Sequence, residues 1–242
     1  MNEYVIRFSV RQRLEHVCVM LLFIVLGVTG LAQKFFAARW AQWTIAALGG
    51  IDRVRWCHRE AGILFAAVAI AHLAVGMMLV ISGRARPSIV PTRKDFRDAV
   101  IMMRYYLRLS DEQARFDRYD YRQKFEYWGL VLGSGLMIVT GFMLYLPVLA
   151  TRFLPGEIIP AAQMAHSNEG LLAFLVVITW HVYNAHFSPD VFPFDVTIFT
   201  GKISAERMEK EHQLEYARME GDAQQEHQTP PEIEQDRASA HG

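Results

Sequence analysis

Four stretches of this chain carry no charged side chain over 18 to 25 residues: 16–33, 61–83, 127–151 and 170–189. About 20 consecutive apolar residues let a helix cross roughly 30 Å of hydrocarbon. In that medium a segment must satisfy its own backbone N–H and C=O groups, so such runs fold as helices. The expected fold is an all-α, integral-membrane four-helix bundle, with helices over about 14–35, 59–82, 125–149 and 166–187. Residues 41–51 are too short to span and read as an interfacial or re-entrant piece. Residues 95–110 are amphipathic, with arginine on one side, and read as a loop helix on the cytoplasmic surface. Trp40, Trp43, Trp56, Tyr127 and Trp128 stand near helix ends, where an aromatic belt is expected.

The formal net charge is zero, but its distribution is uneven. The N-terminus, the loop 84–124 and the tail together hold 19 Lys and Arg, against 6 in the other two loops. The positive-inside rule then puts both termini in the cytoplasm of a bacterial inner-membrane protein, with no nucleic-acid partner. The first apolar run has no A-x-A cleavage pattern and is expected to stay as a helix. Residues 1–205 read as the membrane domain. Residues 206–242 read as a charged cytoplasmic tail, disordered at its end, with His212, His227 and His241 solvated.

Six of the nine histidines fall in or at the ends of the apolar segments. His58 and His72 are 14 residues apart, and His166 and His181 are 15 apart. At about 100° and 1.5 Å per residue, each pair leaves two imidazoles roughly on one face, ~21–22 Å apart along the axis. Each first histidine is followed four residues on by glycine, Gly62 and Gly170. Ionisable groups inside a bilayer are costly and usually functional. Two such helices side by side make two stacked bis-imidazole sites, the arrangement that holds two haems b across a membrane. An iron held by two histidines has no open position, so it shuttles electrons. A metal-carrier reading needs ligands clustered about one ion, and here they lie on two levels. The two cysteines, Cys18 and Cys57, fall at opposite faces, and position 54 is valine, so no C-x-x-C-H motif for covalent haem is present.

The chain also looks duplicated. Glu15 precedes Thr29-Gly30 by 14 residues, and Glu126 precedes Thr140-Gly141 by the same 14. Each of these helices is followed by one bearing paired histidines, so the repeat is a hairpin, residues ~11–83 and ~122–187. It makes the second and fourth helices parallel, and their spacing pairs His58 with His166 and His72 with His181. His16 and His186 remain. They hold a third haem, serve quinone or proton transfer, or are interfacial. Glu15 and Glu126 at the helix mouths, and Asn184 after the last histidine pair, are candidates for a quinone or proton site. Asp190 and Asp195 are weaker candidates for the same pocket.

These residues resemble the membrane cytochrome b subunits of respiratory oxidoreductases, such as the formate dehydrogenase gamma subunit and the cytochrome b of nickel–iron hydrogenases. The likeness covers about residues 8–205. It rests on Arg13-Leu-Glu-His16, the two Thr-Gly pairs, His58 with Gly62, His166 with Gly170, Glu126-Tyr-Trp, and the run from His181 to His186 and on to Thr200-Gly201-Lys202. The resemblance implies an outer haem on His58 and His166 and an inner haem on His16 and His181. His72 and His186 are extra to that pattern, so the inner ligand set stays open between His16 and His72. It further implies a membrane anchor exchanging electrons in either direction between menaquinone or ubiquinone and a partner. The partner is an iron–sulfur or multihaem subunit joined to a catalytic subunit. The competing expectations are a stand-alone haem b reductase of ferric iron or superoxide, and a non-redox His-rich membrane protein.

Overall fold

The structure, a computed structural model, describes residues 4–189 and 191–228, with side chains as far as residue 221. Residues 229–242, including His241 and the end expected to be disordered, lie outside the described residues, as do Asp190 and the His227 side chain.

Among the described residues, four helices are long and apolar enough to cross a membrane: α1 (Val10–Lys34), α3 (Ile51–Ile81), α5 (Tyr121–Tyr145) and the helix that begins as α7 and runs Ile158–Phe187. Apart from residues 121–124 at the start of α5, they lie in one compact unit, Ile6–Pro87 with Phe125–Lys202. α1 starts on a capping box: the Gln12 amide donates to the Ser9 hydroxyl, and the Ser9 amide donates to Gln12 Oε1 at 3.0 Å. A short helix, α2 (Arg39–Ala47), leads to Gly49 and Gly50 with φ of +89° and +103°. Only glycine adopts that backbone without strain, and the turn sends the chain back as α3. Pro147, at the first position of α6 (Pro147–Phe153), ends α5 at Tyr145 and splits the 25-residue uncharged run in two.

Contacts between named residues set the packing order. Lys34 Nζ, at the end of α1, donates to Ser167 Oγ near the start of α7 at 2.8 Å. Arg59 of α3 lies over the ring of Tyr145, at the end of α5. Glu126, early in α5, meets His181, late in the α7 span. Each spanning helix therefore runs antiparallel to its neighbours, an up-and-down arrangement. The interior is lined by small residues, Thr29, Ala32, Ala61, Ala66, Thr140 and Ala162, while Leu21, Ile70 and Leu132 point outward. That is the pattern of helices packed closely in lipid, where apolar bulk gains nothing by facing inward.

From Val177 the last span widens into π-helical turns, Val177–His181 and Tyr183–Phe187. Such turns in α-helices often mark functional positions. Here the change rotates His181 off the face that a straight α-helix would give it.

A second compact unit comprises, among the described residues, 4–5, 88–124 and 203–228. Its described helices are α4 (Arg93–Tyr106), α9 (Ala205–Glu211) and α10 (Gln213–Gln228). A four-residue helix, α8 (Thr197–Thr200), precedes β2 (Lys202–Ser204), which pairs with β1 (Tyr4–Ile6). Met102, Ala114, Ile203 and Met208 are buried in the unit. Arg118 Nη1 meets Glu215 Oε1 at 2.7 Å, and Arg218 pairs with Asp117. His212, expected in solvent, is instead buried, with Nδ1 2.9 Å from the Asp117 carbonyl. Their separation of 95 in the sequence left no local signal of the contact.

Two carboxyls in this unit are held below the usual range. Burial alone raises that of Asp95, but hydrogen bonds from Lys124, at 2.8 and 3.0 Å, and from Thr92 outweigh it. Burial likewise raises Asp117, and Arg218 outweighs it. A depressed folded-state value contributes stability above the ordinary carboxyl value of about 3.9, and that contribution disappears as pH falls through the lower folded value. Protease nicking of the 88–124 loop should therefore accelerate below about pH 4. Asp95→Asn should nick faster than wild type at neutral pH and show a flatter acid response. An unchanged acid response in this variant would remove Asp95 from the account.

Candidate functional site

Two histidine pairs face each other across the spanning helices. His58 of α3 and His166 of α7 have ring centroids 6.2 Å apart. His16 of α1 and His181 also have centroids 6.2 Å apart. A metal–imidazole bond is about 2 Å long and a ring centroid lies about 1 Å behind its nitrogen, so two rings ligating one ion stand about 6 Å apart. Both pairs fit an iron held between two imidazoles.

The His58 and His166 rings are held by matched supports. Thr29 Oγ1 donates to the Val25 carbonyl at 2.6 Å and lies 2.9 Å from His58 Nδ1. Thr140 Oγ1 donates to the Leu136 carbonyl at 2.7 Å and lies 3.0 Å from His166 Nδ1. A hydroxyl has one proton, and the carbonyl takes it. Each threonine oxygen therefore accepts the Nδ1–H and leaves the Nε2 lone pair for a metal, the usual role of a group behind a ligating histidine. The glycine after each threonine makes room for the ring. A Cβ on Gly30 would sit 3.1 Å from His58 Cε1, and one on Gly141 would sit 3.2 Å from His166 Cε1. Gly62 and Gly170 pack instead towards Leu26 and Met137, themselves equivalent in the repeat.

At the other level, His181 Nδ1 bonds the carboxylate of Glu126, again leaving Nε2. His16 Nδ1 is buried with no hydrogen-bond partner among the described residues. The helical spacing sets His72 opposite His181; in the structure His16 stands there. Two physical reasons account for the difference. α1 packs against both α3 and α7, and the π-helical turn redirects His181. His72 is occupied on both sides, with Nδ1 3.1 Å from Glu15 Oε2 and Nε2 3.1 Å from the Tyr127 hydroxyl. Glu15 also pairs with Arg11 at 2.9 Å.

The other candidates lie elsewhere. His186 stacks on Phe194 with centroids 4.0 Å apart, and its Nδ1 is buried without a hydrogen-bond partner among the described residues. Asn184 Nδ2 donates to the carbonyl of Trp180 at 2.9 Å, one turn back on its own helix. Asp195 accepts from the Thr197 amide at 2.7 Å. The sequence displayed Thr29 and Thr140 as repeated letters, without their role. Tyr127 read as a belt aromatic.

A family model of the prokaryotic cytochrome b561 proteins matches residues 7–191. The chain belongs to that family. It is 26% identical over 185 residues to the formate dehydrogenase cytochrome b556(fdo) subunit of Escherichia coli K12, covering 76% of this chain and 80% of that protein. The proteins of the same name in E. coli O6:H1 and O157:H7 match to the same extent. The chain is thus a multi-pass bacterial membrane cytochrome b, an electron-transfer subunit of a family that holds haem b.

Proposed function

We propose that this cytochrome b561-family chain holds two haems b and transfers electrons across the bilayer between a quinone pool and a partner redox subunit. The observation that carries the reading is the recurrence of one separation, 6.2 Å, at two histidine pairs. His58 and His166 are the outer ligands; His16 and His181 are the inner ones. When bound, the haems supply one-electron carriers, and the protein supplies position and tuning. Thr29 and Thr140 fix the tautomer of the outer ligands, and Glu126 fixes that of His181. His186, stacked on Phe194 while His16 faces His181, is assigned to packing and not to a third haem.

The excess of Lys and Arg in the N-terminus, the loop 84–124 and the tail favours cytoplasmic termini. That orientation puts the His16–His181 level at the cytoplasmic side, with Glu15, Glu126 and Asn184. The quinone, menaquinone or ubiquinone, is assigned to this side. The relatives' name supports a partnership with a formate dehydrogenase-type catalytic subunit; an iron–sulfur or multihaem subunit at the outer face is assigned as the link.

Haem b per polypeptide in the detergent-purified protein tests the count, with a dithionite-reduced-minus-oxidised spectrum. A ratio of two is expected. A ratio of three would overturn the assignment of His186 and His72, and colourless protein would overturn the whole reading. Reduced protein mixed anaerobically with short-tailed ubiquinone or menaquinone should reoxidise; failure with both would remove the quinone.

A further inference from the structure

A polar chain crosses the spanning helices beside the inner histidine pair. Arg11 Nη1 meets Glu15 Oε1 at 2.9 Å, Glu15 Oε2 meets His72 Nδ1 at 3.1 Å, and His72 Nε2 meets the Tyr127 hydroxyl at 3.1 Å. The contacts join α1, α3 and α5.

The internal repeat explains where this chain comes from. A shift of 111 residues carries Glu15 to Glu126, His16 to Tyr127, Leu26 to Met137 and Thr29 to Thr140. In the second helix of each hairpin the shift is slightly shorter, 108 from His58 to His166 and 109 from His72 to His181. In one copy Glu126 bonds His181, whose ring faces His16 at 6.2 Å. In the other, Glu15 bonds His72, whose ring faces Tyr127 at 6.0 Å. The Glu15–His72–Tyr127 cluster is therefore the counterpart of the inner ligand pair, with a phenol where that pair has an imidazole. It differs in one decisive respect. His72 Nε2 and the phenol oxygen bond each other directly, so neither is directed at a metal between them.

Such a pair suits a different guest. With Nδ1–H given to Glu15, His72 Nε2 is an acceptor, and the Tyr127 hydroxyl is a donor that can turn. A carbonyl accepts from the tyrosine; a ring hydroxyl donates to the histidine. The His72 side chain is 41% exposed, although it lies within a membrane-spanning helix. Leu14 and Phe125, on the same end of α1 and α5, are 66% and 78% exposed. A polar cluster left exposed within membrane-spanning helices is costly unless a polar group covers it. The molecule that brings carbonyls or ring hydroxyls through hydrocarbon on an apolar tail is a quinone or quinol. We propose that Glu15, His72 and Tyr127 form the head-group site for a quinone or quinol entering from the bilayer. Tyr127 and His72 make the hydrogen bonds, and Glu15 orients the imidazole. The proposal rests on the quinone reading above and gives it a place.

The test uses the purified haem-loaded protein, titrated with short-tailed ubiquinone and short-tailed menaquinone, with bound quinone measured after rapid filtration. Tyr127→Phe and His72→Asn should each weaken binding about tenfold, the effect of one lost hydrogen bond. Haem content and reduced spectrum should stay at the wild-type level in both. Undiminished binding in both variants would overturn this site and leave the quinone reading standing. No binding of either quinone to the wild type would overturn both. Loss of a haem from His72→Asn, with Tyr127→Phe intact, would make His72 a ligand and overturn the inference.

Discussion

Alanine at His58 should remove one of the two haems, taking the pyridine haemochrome ratio from two per chain to one, and His166→Ala should do the same. The two rings face each other at 6.2 Å, and among the described residues neither ring faces another imidazole. Removing one ligand leaves a single metal–nitrogen bond for a group that the pair holds from both faces. The inner pair, carried by His16 and His181, should keep its haem and spectrum. Thr29→Val is the milder companion. It keeps the shape of the side chain and deletes the oxygen behind His58 Nδ1, a change worth roughly 10- to 100-fold in affinity for groups of this kind. Gly30→Val acts sterically, because its Cβ would meet His58 Cε1 at 3.1 Å before the valine methyls are added. A full complement of two haems in His58→Ala would sink the outer assignment, and a loss of both would show that the two sites do not load independently.

The spanning helices were legible because a bilayer leaves so few options. Where charges are missing for 18 to 25 residues, only a helix satisfies the backbone. The duplication was legible too, since Glu15 to Thr29 and Glu126 to Thr140 keep one spacing. What the repeated threonines do was not legible. A threonine inside a helix commonly donates to the carbonyl one turn back, and nothing local tells that its oxygen also faces a histidine 29 or 26 residues away. The partner of His181 was ambiguous for a geometric reason. Counting 100° per residue assumes α-helix throughout, whereas the chain turns π-helical at Val177. It also treats α3 and α7 as neighbours at both levels, whereas α1 brings His16 to His181. The unit built from the loop and the tail was invisible because its ties, such as Arg118 with Glu215 and His212 with Asp117, span about a hundred residues.

Glu126→Gln should raise the midpoint potential of the inner haem by on the order of 50–100 mV and leave the outer one unmoved. The two levels differ in what stands behind the ligands. Thr29 and Thr140 present neutral hydroxyls to His58 and His166, whereas Glu126 presents a carboxylate to His181. A carboxylate on Nδ1–H raises the basicity of the imidazole, which favours the more positive, oxidised iron. Glutamine accepts the same hydrogen bond without the charge, so the oxidised form loses that preference. A supporting group of this type is worth roughly 10- to 100-fold, and a tenfold change in a one-electron equilibrium is about 59 mV. The substitution keeps the volume and the hydrogen bond, so haem content should remain at two per chain. A spectroelectrochemical titration resolving the two haems reads the shift directly. If the outer haem moves while the inner stays, the levels have been assigned the wrong way round. If neither moves, the carboxylate does not tune His181. If the expected shift is found, the charge of Glu126 sets the inner haem below the value its imidazoles alone would give. The potential difference between the two levels then follows from one feature of the duplicated hairpin: a hydroxyl supports each outer histidine and a carboxylate supports the inner one.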